Sequence, residues 1–273
     1  MTQTFARQTL REPVSFSGKG LHSGEPVKVT VSPGDQQIGF RTGSGTRIPI
    51  RPDAVVDTSR CTCIPGISTI EHLMSALAGL EITDAEVEVT GGELPGLDGS
   101  SAEYVAAFRA AGLTSIGSLA VEGPFARIFS KEETHTCAIS TGHGLWQYDF
   151  VTQGSRWPGH QTFCLDLTPE SYATEIAPAR TIAFEEELEW IKQHGLGRGL
   201  DEHSALVLGQ HGYLNASRFD VEPVRHKLLD LIGDLYLSGI PIRALNVVAE
   251  RVGHTANVAL ARRLAEATKR LYS

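Results

Sequence analysis

The sequence has no apolar run that approaches the roughly 20 residues that a membrane-spanning helix needs. Its first residues, MTQTFAR, also lack the charged region followed by an apolar stretch that marks a signal peptide. These two absences predict a cytoplasmic protein with no stable membrane insertion.

Cysteine is scarce, with four residues in 273. Cys61 and Cys63 are separated by one residue, whereas Cys137 and Cys164 are isolated, and this is not the dense pattern of small disulfide-stapled secreted domains. Because no second cysteine pair accompanies Cys61 and Cys63, a structural zinc site of the four-cysteine type is not predicted either. We expect reduced thiols.

Basic side chains are outnumbered, since 24 lysines and arginines face 32 aspartates and glutamates, a formal net charge of -8. A surface that neutralises a nucleic-acid backbone carries the opposite balance, so no nucleic-acid partner is predicted, although a small basic site for a phosphate is compatible with this charge. Histidine, by contrast, is plentiful, with ten residues. Metal or acid–base chemistry is therefore the first function to consider.

The order of the predicted elements is repeated in the two halves of the chain. In the first half, short strands separated by glycine and proline are followed by a helix, a strand and a second helix. The second half has the same order, with a charged helix and a short strand inserted. The predicted strands are 14–17, 27–31, 38–41, 48–51, 85–89, 136–140, 145–152, 162–167, 206–208 and 244–249, and the predicted helices are 71–80, 100–111, 185–194, 224–237 and 254–271.

This repeat predicts an α+β fold of two similar domains, residues 1–116 and 117–273, joined near 112–123. Each domain would contain a β-sheet and two helices, and the helices would be sandwiched between the two sheets. A cleft is expected where the helix pairs meet, bordered by the helices that carry histidine.

The densest cluster of titratable residues lies in the segment 224–234. His226, Asp230 and Asp234 recur every four residues and share one stripe of the predicted helix, so an imidazole and a carboxylate can bind one metal ion. An ordinary amphipathic helix with a His–Asp pair on its wet face gives the same pattern, and a metal site needs a third ligand. His72 occupies the position in the first half that His226 occupies in the second. Two histidines and one aspartate suit a catalytic zinc ion, which keeps its fourth position for water.

Two further residues could move protons at such a site. Glu71 precedes His72 and could take a proton from water, although a first-turn glutamate is also favoured by the helix dipole. His254 opens the last predicted helix and could donate a proton to a leaving group, with Asp234 keeping its imidazole protonated. A solvent-facing histidine at a helix start is the alternative for His254.

Seven segments distributed over nearly the whole chain form recognisable motifs. The most specific combination is STIEH in 68–79 followed, about 150 residues later, by RHKLLDLIGDL in 225–235. The other segments are SGKGLHSG, RCTC, LPGLDGSS, ARTIAF and GHTAN. Together they resemble the UDP-3-O-acyl-N-acetylglucosamine deacetylase family, the zinc enzymes of the committed step of lipid A synthesis.

The resemblance implies three groups of site residues. The ligands of the zinc ion, or of an Fe²⁺ ion in its place, would be His72, His226 and Asp230. The groups that act on the reacting bond would be Glu71 as general base, His254 as general acid, Asp234 as its support and Thr181 at the oxyanion. The groups that contact the substrate would be Lys227, Cys61 and Ile182.

The resemblance also implies a β-α-β insert at 182–208 in the second domain, which forms an apolar passage for the acyl chain. This sequence departs from the family near that passage. Arg60 stands where relatives usually have an apolar residue, and Arg198 and the run 201–203 add charge. Since an unpaired charge costs more than a buried methylene contributes, we expect a preference for a shorter or hydroxylated chain.

The predicted function is zinc-dependent hydrolysis of the acetamide of a UDP-linked, acylated glucosamine by a monomer. A related deacetylase for a different N-acetylated sugar is one alternative, motivated by the altered substrate contacts. Non-haem iron oxygenases also use two histidines and a carboxylate, but usually on a β-barrel and in a different ligand order. A non-catalytic sugar-nucleotide binding protein would have no need of Glu71, Asp234 and His254 together.

Overall fold

Residues 2–43, 45–123, 128–132 and 134–273 are described by the computed structural model, and in these ranges the chain forms four β-sheets and six α-helices. This mixed architecture confirms the predicted α+β class. No helix in these ranges has the length and apolar character needed to cross a membrane.

The strands and helices alternate in blocks along the chain. The strands are β1 (Thr2–Leu10), β2 (Val14–Lys19), β3 (Pro26–Pro33), β4 (Ile38–Thr42), β5 (Ile48–Pro49), β6 (Ala85–Thr90), β7 (Leu113–Glu122), β8 (Ile128–Lys131), β9 (Thr136–Thr141), β10 (Leu145–Val151), β11 (His160–Asp166), β12 (Thr181–Phe184), β13 (Ala205–Leu208), β14 (Leu245–Glu250) and β15 (Lys269–Tyr272). The helices are α1 (Glu71–Gly79), α2 (Ala102–Ala111), α3 (Pro169–Ser171), α4 (Leu188–Gln193), α5 (Glu222–Tyr236) and α6 (His254–Glu266).

Two five-stranded sheets correspond to the two halves of the repeat. The first has the order β2-β3-β6-β4-β5 and the second the order β11-β10-β14-β9-β8. Each contains one parallel pair, β4 with β6 and β10 with β14, among antiparallel neighbours. Val27, Val29 and Val31 alternate along β3 and are all buried, so one face of the first sheet lies on the core.

A third sheet, of order β1-β7-β15, was not predicted. Both β1 and β15 pair antiparallel with β7, so this strand runs through the predicted boundary at 116/117. The prediction of a last helix over 254–271 is wrong at its end. The helix stops at Glu266, and Lys269–Tyr272 alternates between exposed and half-buried residues as a strand against β7. The division into two domains stays a prediction.

The insert consists of β12, a 3₁₀ turn, α4 and β13. Thr181 pairs with Ala205 and Phe184 with Leu208 in a parallel two-stranded sheet, which gives the β-α-β order expected for 182–208. The charged helix predicted over 185–194 is shorter, because Glu185–Glu187 forms the 3₁₀ turn. None of the residues of α4 is buried.

Helices α1 and α5 pack directly on each other, and α5 also contacts β10 and α6. Every residue of α1 is buried, including the polar Glu71 and His72. Gly233 allows the close approach, since a Cβ atom there would lie 2.1 Å from the carbonyl oxygen of Glu71. The contact brings the titratable residues of α1 next to those of α5.

Candidate active site

The predicted ligands His72, His226 and Asp230 converge at the interface of α1 and α5. One ligand atom from each residue lies within 4.8 Å of the other two, and all three residues are buried. Asp230 Oδ1 lies 3.7 Å from His72 Nε2 and 3.5 Å from His226 Nε2. Ligands on a tetrahedral zinc ion at about 2.1 Å are roughly 3.4 Å apart, so this spacing fits such an ion.

His72, His226 and Asp230 form the ligand cluster, and contacts with residues outside it orient two of the three. Nδ1 of His226 lies 3.1 Å from the carbonyl oxygen of Ala179, which leaves Nε2 to face the other ligands when Nδ1 donates. The Nζ of Lys227 donates to Asp230 Oδ2 at 2.8 Å. The other oxygen of Asp230 is therefore the one directed at the histidines.

The electrostatic environment favours metal binding. Burial lowers the pKa of His72 to about 3, with a further contribution from His226, and burial also lowers the pKa of His226. Both imidazoles are consequently neutral near pH 7, which is the form that binds metal. Burial acts to raise the pKa of Asp230, but Lys227 and the surrounding histidines hold it far below its usual range. The carboxylate is therefore ionised.

Glu71 lies at the start of α1, one residue before His72, and is 3% exposed. Its Oε2 accepts a hydrogen bond of 2.9 Å from the backbone N–H of Thr62. Burial raises the pKa of this carboxyl to about 8, and the charges of Asp234 and Asp230 act in the same direction, against that of His254. A carboxyl group that titrates near neutral pH is suited to accept a proton in a reaction.

His254 and Asp234 form an ion pair, with His254 Nδ1 2.8 Å from Asp234 Oδ2. Asn257 donates to the same oxygen at 2.9 Å, and the Thr62 hydroxyl donates to Oδ1 at 2.5 Å. Burial acts to lower the pKa of His254, but Asp234 raises it to about 10. The imidazole is thus protonated near pH 7 and can act as a proton donor.

A cavity of about 450 Å³ joins this cluster to the insert. Its polar end includes Glu71, His72, His226, Asp230 and His254. Its apolar wall includes Ile182, Leu188, Ile191, Leu196, Leu200 and Val207. A polar, metal-competent end and an apolar end suit a substrate with a reactive polar group and an aliphatic chain.

Some of the charged residues that were predicted to alter the acyl passage line the cavity, and others do not. Asp201 and Glu202 line the cavity, as does Arg60, whose guanidinium lies 4.3 Å from the centre of the Trp190 ring on α4. Neither Arg198 nor His203 lines the cavity, and the side chain of His203 is 85% exposed. Arg60 therefore connects the loop before α1 to the insert.

Four predicted site residues remain, and three of them have a polar side-chain contact with another residue of the protein. The four are Thr181, Ile182, Lys227 and Cys61. Thr181 and Ile182 line the cavity, and the Thr181 hydroxyl donates to the carbonyl of Gly99 at 3.0 Å. Lys227 lines it too, with its Nζ on Asp230. Cys61 is 6% exposed and does not line the cavity; its sulfur lies 3.5 Å from that of Cys63. The roles of these residues stay predictions.

Sequence reasoning missed two residues of the site. Asn257 follows His254 by one helical turn, so its position on the same side of α6 was a usable signal. Thr62 gave none, because its partners Glu71 and Asp234 are 9 and 172 residues away. The sequence also did not reveal the buried Arg180–Glu222 pair at 2.8 Å, which ties the segment before β12 to α5.

Comparison with known proteins agrees with the mixed fold and the buried two-histidine, one-aspartate site. Residues 7–266 match the family described as UDP-3-O-acyl N-acetylglycosamine deacetylase, and the chain belongs to this family. A relative from Aquifex aeolicus (strain VF5), named UDP-3-O-acyl-N-acetylglucosamine deacetylase, is 36% identical over 277 residues, 96% of this chain and 94% of the relative. Proteins of the same name from Chromobacterium violaceum and Nostoc sp. are 36% and 33% identical, over 95% and 94% of this chain and 90% and 98% of their own lengths.

Proposed function

We propose that this protein hydrolyses the acetamide of UDP-3-O-acyl-N-acetylglucosamine and releases acetate, the committed step of lipid A synthesis, in the cytoplasm. The observation that carries the proposal is the convergence, in one cavity, of a three-ligand cluster with Glu71 and an Asp-paired His254. Membership of the deacetylase family supports the choice of substrate.

Zinc is the metal that we propose for the cluster. The donor set fits it, because two neutral imidazoles and one carboxylate leave a fourth tetrahedral position open. Bound there, zinc would polarise a carbonyl oxygen and make a water molecule easier to deprotonate. Fe²⁺ suits the same ligands, so metal analysis of the purified protein has to distinguish the two.

Glu71 is the proton acceptor of the proposed reaction. It borders the cluster, and its Oε2 is held by Thr62, so the carboxylate presents a fixed oxygen to the attacking water. His254 is the proton donor, because an imidazolium held by Asp234 can protonate the amine as the C–N bond breaks. The two groups lie on different elements, α1 and α6, and both face the cavity.

Thr181 and Lys227 have supporting roles in this proposal. The Thr181 hydroxyl would stabilise the developing oxyanion after it exchanges its bond to Gly99 for one to the substrate. Lys227 would contact the nucleotide part while still close to Asp230. The insert wall, with Ile182, would receive the acyl chain.

A different N-acetylated sugar is the second candidate substrate. Asp201 and Glu202 favour it, since both acidic residues line the cavity whose apolar wall should accept an aliphatic chain.

Acetate release from UDP-3-O-acyl-N-acetylglucosamine by the purified protein tests the proposal. We expect activity that chelation abolishes and Zn²⁺ restores. Glu71→Gln should keep its metal and lose on the order of a hundredfold in rate, whereas His72→Ala should lose metal and activity together. Glu170→Gln, at an exposed glutamate, is the matched control and should behave as wild type.

Three results would contradict the proposal. The first is no acetate from this substrate together with acetate from another N-acetylated sugar, which would favour the second candidate. The second is full activity after chelation. The third is full metal content and activity in His72→Ala, His226→Ala and Asp230→Ala, which would exclude the assigned ligands.

A further inference from the structure

Thr62 uses all of its polar groups on the residues around the cluster, and it is fully buried. Its backbone N–H donates to Glu71 and its carbonyl accepts from the N–H of Ile70 at 3.1 Å. Its hydroxyl donates to Asp234 Oδ1 and lies 3.5 Å from His254 Nδ1. One residue therefore touches both the proposed proton acceptor and the carboxylate behind the proposed proton donor.

The hydrogen bond from the Thr62 hydroxyl fixes one oxygen of the Asp234 carboxylate and so its orientation. Asp234 is fully buried, so both of its oxygens need partners within the protein. Oδ2 receives His254 and Asn257, and the Thr62 hydroxyl is the donor that holds Oδ1. If the hydroxyl is removed, Asp234 Oδ1 stays buried but loses its hydrogen-bond donor. The carboxylate could then rotate away from His254.

We propose that Thr62 is a positioning residue that keeps Glu71 and the Asp234–His254 pair in the relative geometry that proton transfer requires. The inference rests on the proposed function. It assigns Thr62 no contact with substrate, because its contacts are with the catalytic groups. A buried threonine that only stabilises the fold would affect stability and leave the orientation of His254 unchanged.

Thr62→Val tests this assignment, because valine keeps the shape and the backbone N–H but removes the hydroxyl. We expect kcat to fall between about tenfold and a hundredfold, with unchanged KM and metal content. Thr62→Ser, which restores the hydroxyl, should recover most of kcat. The matched control is Thr9→Val, which removes another buried hydroxyl, the acceptor of the Gly34 N–H, from β1. It should lose stability alone.

Two further measurements separate positioning from a structural role. In a double-mutant cycle, Thr62→Val should have little added effect on Asp234→Asn, because both act on the same carboxylate. The NMR signal of the His254 Nδ1 proton should shift or disappear in Thr62→Val and stay in place in Thr9→Val. This signal does not depend on turnover, so it tests the inference even if the wild-type protein releases no acetate.

Wild-type kcat in Thr62→Val, or an unchanged His254 Nδ1 signal, would overturn the inference while the proposed function stands. The inference would also be overturned if the loss of kcat in the double variant equalled the product of the losses in Thr62→Val and in Asp234→Asn. If Thr62→Val does not fold, Thr62→Ala is measured in its place with the same expectations. An inactive wild-type protein with the expected NMR change would instead count against the proposed function alone.

Discussion

Asp230 and Asp234 lie one helical turn apart on α5, yet their surroundings give them different chemistry. Asp230 faces two neutral imidazoles and Lys227, whereas Asp234 faces His254, Asn257 and Thr62. A buried carboxylate is tolerated only when it is paired and hydrogen-bonded, and each of these is. Asp230 can therefore bind a cation, whereas Asp234 can stabilise a protonated donor.

The pH dependence of the reaction follows from these surroundings. Acetate release should be bell-shaped in pH, because Glu71 must be ionised to accept a proton and His254 must be protonated to donate one. Asp234 raises the pKa of His254, so its removal lets the proton leave at lower pH. Asp234→Asn should therefore move the basic limb down by about one pH unit or more. Initial rates between about pH 5 and pH 11, a range that extends past the His254 pKa of about 10, measure this.

Asp53→Asn is the matched control for that measurement, because Asp53 is a surface residue paired with Arg262. Its pH profile should coincide with that of wild type. A basic limb that stays in place in Asp234→Asn would show that His254 is not the group that titrates there.

At the residue scale, spacing and the repeat were sufficient to select the three residues of the candidate metal cluster. The i, i+4 relation of His226 and Asp230 and the matching position of His72 placed three residues that the structure brings within 4.8 Å. Thr62 could not be found in this way. Its contact with Asp234 spans 172 residues of sequence, and a single threonine between two cysteines carries no periodic signal.

At the element scale, Gly233 sets the separation of the two helices that carry the ligands. Alanine usually stabilises a helix by about 1 kcal/mol relative to glycine, but a Cβ atom at this position would overlap the Glu71 carbonyl oxygen at 2.1 Å. Gly233→Ala should therefore destabilise the protein by about 1–3 kcal/mol, the usual cost of overpacking. Weaker metal binding should accompany it, because α1 must move away from α5.

Urea unfolding and a zinc titration test this change. Gly212→Ala is the control, because a Cβ atom there would meet no atom within 4 Å. A Gly233→Ala protein as stable as wild type, with unchanged zinc affinity, would show that the helix contact adapts at little cost.

The helices and central strands were predictable because their apolar residues repeat at the helical or strand period. The third sheet was not, since β15 and most of β1 consist of exposed and half-buried residues and lack a strong apolar face, with only Thr9 and Leu10 of β1 buried. Residues 267–272 continue the helical pattern in sequence, but pairing with β7 gives Lys269–Tyr272 a strand conformation. Tertiary hydrogen bonding decided the structure there, and local preference did not.

At the scale of the whole molecule, the candidate site belongs to neither half alone. Glu71 and His72 come from α1, whereas His226, Asp230 and His254 come from α5 and α6. The predicted two-domain organisation would account for the distance in sequence between His72 and the pair His226 and Asp230. The strand β7 adds a connection that the prediction lacked, since β1 and β15 flank it on either side.

The insert has an exposed helix and a small sheet, since α4 has no buried residue and only two parallel strands form the sheet, with Leu206 and Leu208 of β13 buried. Local unfolding should therefore cost less free energy here than at the α1–α5 contact. In native-state hydrogen exchange, amides of 182–208 should exchange well before those of α5, and an acylated ligand should slow them selectively. Equal protection of both segments would contradict this. The metal ligands can then stay fixed while the wall that receives the chain opens and recloses around chains of different length.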